Sequence, residues 1–328
     1  MKIFALISKY RTVYMGIATI LIVYYHMPYS QDLLSPIGEI FKNRCFSGVD
    51  IFLFLSGFGL YFSYCKDNNK MHFYIKRIKR IYPSFFIVTI LICIYQNDAI
   101  FDIISKLSTL GYWFGYPFVS WYISAIFMFY LLFPFYMEIF NKNPQVVSIL
   151  TILFGVIITI PIYFIFSDLR IGFFSRIPIF TLGIFSGYIS KTKNVILSKC
   201  RLWFISISLI IIGAISGIVL KYYLPQYIDA WNPLPFIFIT PSILIILTII
   251  FESYYLETIN TYIIKFFTFI GLLSLEIYII HEPLMSLLKF PPTSFNLFIV
   301  EFVIIILVSY IAAFFLQRFI NKIIKMKI

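Results

Sequence analysis

Ionisable residues inside apolar stretches are costly to keep there, so each is a candidate for chemistry. His26 closes the run Leu21-Ile22-Val23-Tyr24-Tyr25-His26, and Asp50 sits near the start of Gly48-Val49-Asp50-Ile51-Phe52-Leu53-Phe54-Leu55-Ser56-Gly57. A histidine oriented by a carboxylate is a general base, and an alcohol acceptor needs such a base in order to attack. The plainer reading is an interfacial histidine and a helix N-cap aspartate, both solvated. Phe73-Tyr74-Ile75-Lys76-Arg77-Ile78-Lys79-Arg80-Ile81-Tyr82-Pro83 is the densest basic cluster. Arg77 and Arg80 are three apart and share a helix face. Two guanidinium groups so placed can clamp the phosphates of a nucleotide-containing donor, although a basic cluster also holds topology or binds anionic lipid. Glu276 and His281 lie in Ser274-Leu275-Glu276-Ile277-Tyr278-Ile279-Ile280-His281. An intramembrane glutamate needs a counter-ion, for which Arg176 is the candidate, and a structural ion pair is the competing reading. Trp121 and Tyr122 open another apolar run, where an interfacial aromatic belt competes with a role in a site.

The elements that position these residues follow from composition. The chain has 328 residues, 61% hydrophobic and only 12% charged, against about 45–50% and about 25% in a soluble domain. A larger core would not account for the excess, because a folded domain must still cover itself with polar surface. Lipid is the solvent that fits. At roughly 20 apolar residues per span, the sequence predicts helices near 12–28, 47–64, 82–96, 120–140, 146–166, 172–190, 202–221, 235–253, 263–284 and 296–318. The fold class is therefore all-α, a polytopic transmembrane bundle of about ten helices forming one domain over 1–328. The first apolar stretch lacks a cleavage-site pattern and is expected to be retained as a helix.

A net charge of +12 would point to nucleic acid in a soluble protein. Here the positive residues are clumped between apolar runs, which is how membrane topology is written, and no nucleic-acid partner is implied. Lys2, Lys9 and Arg11, the cluster from Lys66 to Arg80, Lys191 to Arg201, and Arg318 to Lys327 all fall on one side of a ten-span bundle. Both termini are thus expected in the cytoplasm, with His26, Asp50 and His281 toward the outside. Cys45, Cys65, Cys93 and Cys200 are scattered and read as residues that pack. Three histidines in separate segments make a poor metal-ligand set, so no metal and no bound cofactor are expected.

The order of these segments resembles acyltransferase family 3, the bacterial membrane O-acyltransferases. The resemblance runs from Tyr10 to about Pro283. It rests on Met15-Gly16-Ile17-Ala18 through His26, on Gly48 to Phe58, on Phe73-Tyr74 through Arg77, Arg80 and Pro83, on Arg176-Ile177-Pro178-Ile179-Phe180 with Gly183, and on Ser274 to His281. It implies a ten-helix domain of the bacterial inner membrane that takes an acyl group, most often acetyl, from cytoplasmic acyl-CoA. The group passes to a hydroxyl of an extracytoplasmic polysaccharide or glycolipid. On that reading Arg77 and Arg80 hold the CoA phosphates, and His26 deprotonates the acceptor with Asp50 as its orienter. Arg176, Tyr122, Trp121, Glu276 and His281 line the channel or bind the acceptor.

Two departures qualify the resemblance. Many members carry an arginine eleven residues before the first-helix histidine, and here that position is Met15. Eleven residues rise about 16 Å and return to nearly the same face, so Met15 is expected below His26 along the channel. Arg11 lies one turn earlier with its side chain directed back toward the N-terminus, which makes it an imperfect replacement. Some relatives also carry a fused extracytoplasmic hydrolase-like domain. None is expected after the last span here, and the expectation is then that either the acceptor is modified directly or a separate extracytoplasmic transferase completes the reaction. A transporter or flippase for a lipid-linked sugar, and an acyl translocator feeding such a partner, are the competing functions.

Overall fold

A computed structural model of the chain describes residues 1–29, 33–166, 170–193, 195–224, 232–253, 257–287 and 292–324. The helices are α1 (Ile3–Lys9), α2 (Arg11–His26), α3 (Pro36–Arg44), α4 (Gly48–Lys66), α5 (Lys70–Gln96), α6 (Ile100–Ser108), α7 (Gly111–Phe114) and α8 (Trp121–Phe140). They continue as α9 (Pro144–Phe166), α10 (Ile171–Phe174), α11 (Ile177–Thr192), α12 (Lys199–Tyr223), α13 (Phe236–Phe251), α14 (Glu257–Leu272), α15 (Ser274–Met285) and α16 (Phe295–Ile324). No strand occurs among the described residues. Seven helical segments there are long and apolar enough to cross a membrane, and nine if the bent pairs α1/α2 and α14/α15 each count as one. The tenth expected span is α13, which is shorter at 16 residues. The chain is an all-α, multi-pass membrane protein.

The expected single helix over 263–284 is corrected. α14 and α15 meet at 73° across Leu273, and the bend has a cause on each side of it. α14 lies against α2 at a reciprocal pair of glycines. A Cβ on Gly16 would run into the Phe267 carbonyl, and one on Gly271 into the Thr12 carbonyl. α15 then turns so that Glu276 meets Arg80 and His281 meets His26. A second reciprocal pair joins α4 to α11, where Gly57 faces the Phe180 carbonyl and Gly183 faces the Phe54 carbonyl. Lipid gives no hydrophobic reason for helices to associate, so close backbone approach through small residues has to supply it.

The obstacle at these crossings is backbone, which a rotamer change cannot relieve. Gly271→Ala is expected to destabilise the protein by about 3 kcal/mol, the upper part of the range for overpacking. At Gly217 the nearest atom to an added Cβ is Pro235 Cγ at 3.5 Å, so Gly217→Ala should be tolerated. Thermal unfolding of both variants in detergent checks the contrast; equal midpoints would remove the glycine crossing from the account.

Long-range contacts sort the connections into two ends. At one end the Met1 amino group meets the Leu197 carbonyl, Lys9 pairs with Glu252, and Lys70 pairs with Glu138. At the other, Lys42 Nζ donates to the Tyr25 carbonyl at 2.6 Å and Arg44 bonds Asn232. Tyr24, close to His26 in α2, packs its ring against Phe298 and Phe302 near the start of α16. α16 therefore begins at the His26 end and finishes at the end that holds the N-terminus. Cys45 and Cys93 are buried, while Cys65 and Cys200 are exposed and do not serve as core residues; all four are free thiols.

Candidate active site

His26 is the last residue of α2 and is half-buried, while His281 on α15 is fully buried. His281 Nε2 lies 3.1 Å from His26 Nδ1. Each ring also reaches back one helical turn, His26 Nδ1 to the Ile22 carbonyl at 3.0 Å and His281 Nδ1 to the Ile277 carbonyl at 3.2 Å. A carbonyl only accepts, so for neutral rings both Nδ1 atoms carry the proton. His281 Nε2 is then a bare acceptor, and the His26 Nδ1 proton is shared between it and Ile22. What remains is His26 Nε2, a lone pair with no partner among the described residues. The arrangement is a base held in one tautomer by a second histidine.

His26 lines a cavity of about 530 Å³ together with Tyr25, Trp121, Ser175, Arg176 and Tyr278. Arg176 stands just before α11 and is buried. Its Nη1 donates to the Gly172 carbonyl at 3.2 Å and to Ser175 Oγ at 3.3 Å, and its guanidinium lies 4.8 Å from the Trp121 ring centre. Asp50, 1% exposed, faces it with Oδ1 3.5 Å from Arg176 Nε. A cation anchored on aromatic rings and a buried carboxylate gives this cavity a fixed positive wall, suited to an oxygen that gains negative charge.

Tyr278 is the floor of that cavity and the roof of another. The second, of about 380 Å³, is lined by Arg11, Met15, Arg77, Arg80, Tyr122 and Tyr278 among others. Tyr122 packs edge-on against Tyr278 with ring centres 4.9 Å apart, and Ser120 Oγ donates to Tyr278 Oη at 3.4 Å. These aromatics form a waist between an upper cavity holding a base and a lower cavity holding three arginines. Arg77 reaches Ser63 Oγ at 2.9 Å and lies beside the Phe73 ring. Arg11 rests on Gly59, where an added Cβ would be 3.0 Å from its Cζ.

Several expectations change in detail. Arg176 is not the counter-ion of Glu276. Glu276 is fully buried and takes Arg80 at 2.7 Å and 3.5 Å and Ser84 Oγ at 3.1 Å, because the bend at Leu273 turns α15 toward α5. Arg176 pairs with Asp50 instead, and the side chain within hydrogen-bond distance of His26 is His281. Glu276 lies outside the described lining of both cavities, whereas Trp121, Tyr122 and Arg176 lie in it. Met15 occupies the lower cavity, as its spacing from His26 predicts. Arg11 reaches the same cavity, and Tyr278 with Ser120 forms the waist, which the sequence reading missed. Tyr278, three residues before His281, shares its helix face, and that spacing was the available signal. Among the described residues no group of three His, Cys, Asp or Glu could hold a metal ion.

Comparison with known proteins adds one finding. A family model described as an acyltransferase domain, Acyl_transf_3, matches residues 16–318, nearly the whole chain. No curated protein and no solved structure matches.

Proposed function

The chain belongs to acyltransferase family 3, and from that premise we propose that it carries an acyl group, acetyl first among candidates, from cytoplasmic acyl-CoA to a hydroxyl of an extracytoplasmic glycan or glycolipid. It is a membrane enzyme of acyl transfer, a family whose acceptors are in general polysaccharides. The observation that carries the finer reading is the pair of cavities meeting at Tyr278, one with a bare imidazole nitrogen and one with three guanidinium groups. The basic residues gather at the end that holds the N-terminus, which supports a cytoplasmic face there in a bacterial inner membrane. Phosphates of the donor then enter at Arg11 and Arg77, and the pantetheine arm brings the thioester to the waist.

In the transfer step the acceptor hydroxyl gives its proton to His26 Nε2 while its oxygen attacks the thioester carbonyl carbon. The oxyanion that forms lies toward Arg176. Collapse breaks the carbon–sulfur bond, the thiolate of CoA takes the proton from His26, and an ester remains on the acceptor. His281 holds the ring of His26 in the tautomer this requires. Asp50 supports Arg176, an assignment that the 3.5 Å separation favours over a direct role on His26.

The test is transfer of labelled acetyl from acetyl-CoA to envelope glycan by membranes bearing the protein. Label in the glycan above empty membranes is expected. Its absence, with the host's own glycan supplied, would sink the acetyl-transfer reading and leave a carrier of lipid-linked sugar or of acyl groups as the better account.

A further inference from the structure

A third cavity, of about 500 Å³, meets the same waist from the side. Tyr278 and Ser120 form its inner wall, and mostly apolar side chains of α5, α15 and α16 line the rest, among them Ile87, Val88, Leu284 and Ala312, with Glu282 of α15 a carboxylate in the same lining. Leu91, Tyr95 and Leu287, also in the lining, are 61%, 70% and 53% exposed. In a membrane-spanning bundle these exposed apolar residues face lipid, so the chamber opens sideways into the bilayer. Gln96 and Lys106 mark its rim, beyond α5 on the side away from Arg77, and Lys106 is already paired with Asp98 at 2.6 Å.

We propose that this chamber receives the hydrocarbon tail of a lipid-linked acceptor, an isoprenoid or acyl chain whose sugar then lies across Tyr278 in the cavity of His26. The proposal rests on the acyl-transfer reading and specifies its acceptor. The sideways opening selects the occupant. A short acyl group on a water-soluble donor arrives through the arginine cavity and has no use for an entrance from lipid. A chain that already resides in the bilayer has no other way in. Hydrocarbon moving from bilayer to protein gains little free energy, since lipid tails are as apolar as the lining. The chamber therefore positions the acceptor more than it binds it, and misplacement by about 1 Å can cost about 100-fold in rate.

The experiment compares one oligosaccharide in two forms, linked to a polyprenyl diphosphate and tail-free, with acetyl-CoA as donor and CoA release followed alongside. The native protein is expected to acylate the lipid-linked form at least about tenfold faster. Ala312→Phe and Ile87→Phe fill the chamber from α16 and from α5, so that one informs if the other does not fold. Each should lower transfer to the lipid-linked form, and the CoA release that accompanies it, about tenfold and leave both rates unchanged with the tail-free form. Equal native rates on the two forms would overturn the chamber while acyl transfer stands. An equal loss on both forms in the variants would also overturn it, making the cavity a seat for bulk lipid. No transfer and no CoA release would bring down the acyl-transfer reading itself, and the chamber with it.

Discussion

His26→Ala is expected to transfer acyl groups about 10³-fold more slowly than the native protein, within the range for loss of a general base, with KM for acyl-CoA changed by less than about twofold. His26 touches the acceptor side of the waist, so its removal should lower kcat and leave donor binding alone. His26→Gln should be as impaired, because an amide fills the space but takes no proton. Toward His26, the His281→Phe arm of the same experiment removes the acceptor at 3.1 Å; the bond it also loses, to the Ile277 carbonyl, lies within its own helix. A hydrogen bond of about 1 kcal/mol converts to a loss of about fivefold. His281→Gln should recover part of it, since the amide oxygen can accept from His26 Nδ1. A folded His26→Ala protein with activity within threefold of native would remove the imidazole from the step. Loss from His281→Phe as large as that from His26→Ala would make His281 the base.

The legible and illegible parts of this protein divide by sequence distance. Spans were readable because lipid thickness sets their length, and the basic residues that mark alternate connections give an expectation for their orientation. The expected face sharing of Arg77 with Arg80, and of Met15 with His26, follows from local helix periodicity and holds in the lower cavity and along α2. What the sequence could not supply is the partner of each buried charge. Glu276 and Arg80 are 196 positions apart, and nothing local distinguishes Arg80 from Arg176 as the counter-ion. The choice is made by the bend at Leu273, and the run Gly271-Leu272-Leu273-Ser274 carries no proline to announce a break. The same bend sets His281 against His26. Both histidines were expected toward the outside, yet their contact depends on an angle of 73° that apolar periodicity does not encode.

That choice of partners decides which arginines are free to hold a donor. Arg80 spends its charge on Glu276, whereas Arg11 and Arg77 have no carboxylate partner among the described residues and each has a buried Nε without a hydrogen bond. Arg11→Gln and Arg77→Gln are each expected to raise KM for acyl-CoA about tenfold to 100-fold with kcat little changed, matching loss of a charge-assisted hydrogen bond of about 1.5–3 kcal/mol. Arg80→Gln should behave differently. It strands a fully buried carboxylate, and breaking such a pair costs about 3–5 kcal/mol of stability. The deficit should therefore be in folded protein, and Glu276→Gln in the same chain should restore it. Steady-state kinetics on the three single variants, with melting midpoints beside them, separate the two behaviours. Should Arg11→Gln leave KM unchanged while Arg80→Gln raises it in a protein of native stability, the clamp would be Arg77 with Arg80. Arg11 would then be a basic residue that fixes topology only. If the expected pattern holds, Arg11 does from one turn below the work that Met15 cannot do, and Gly59 is what lets its guanidinium lie flat enough to reach.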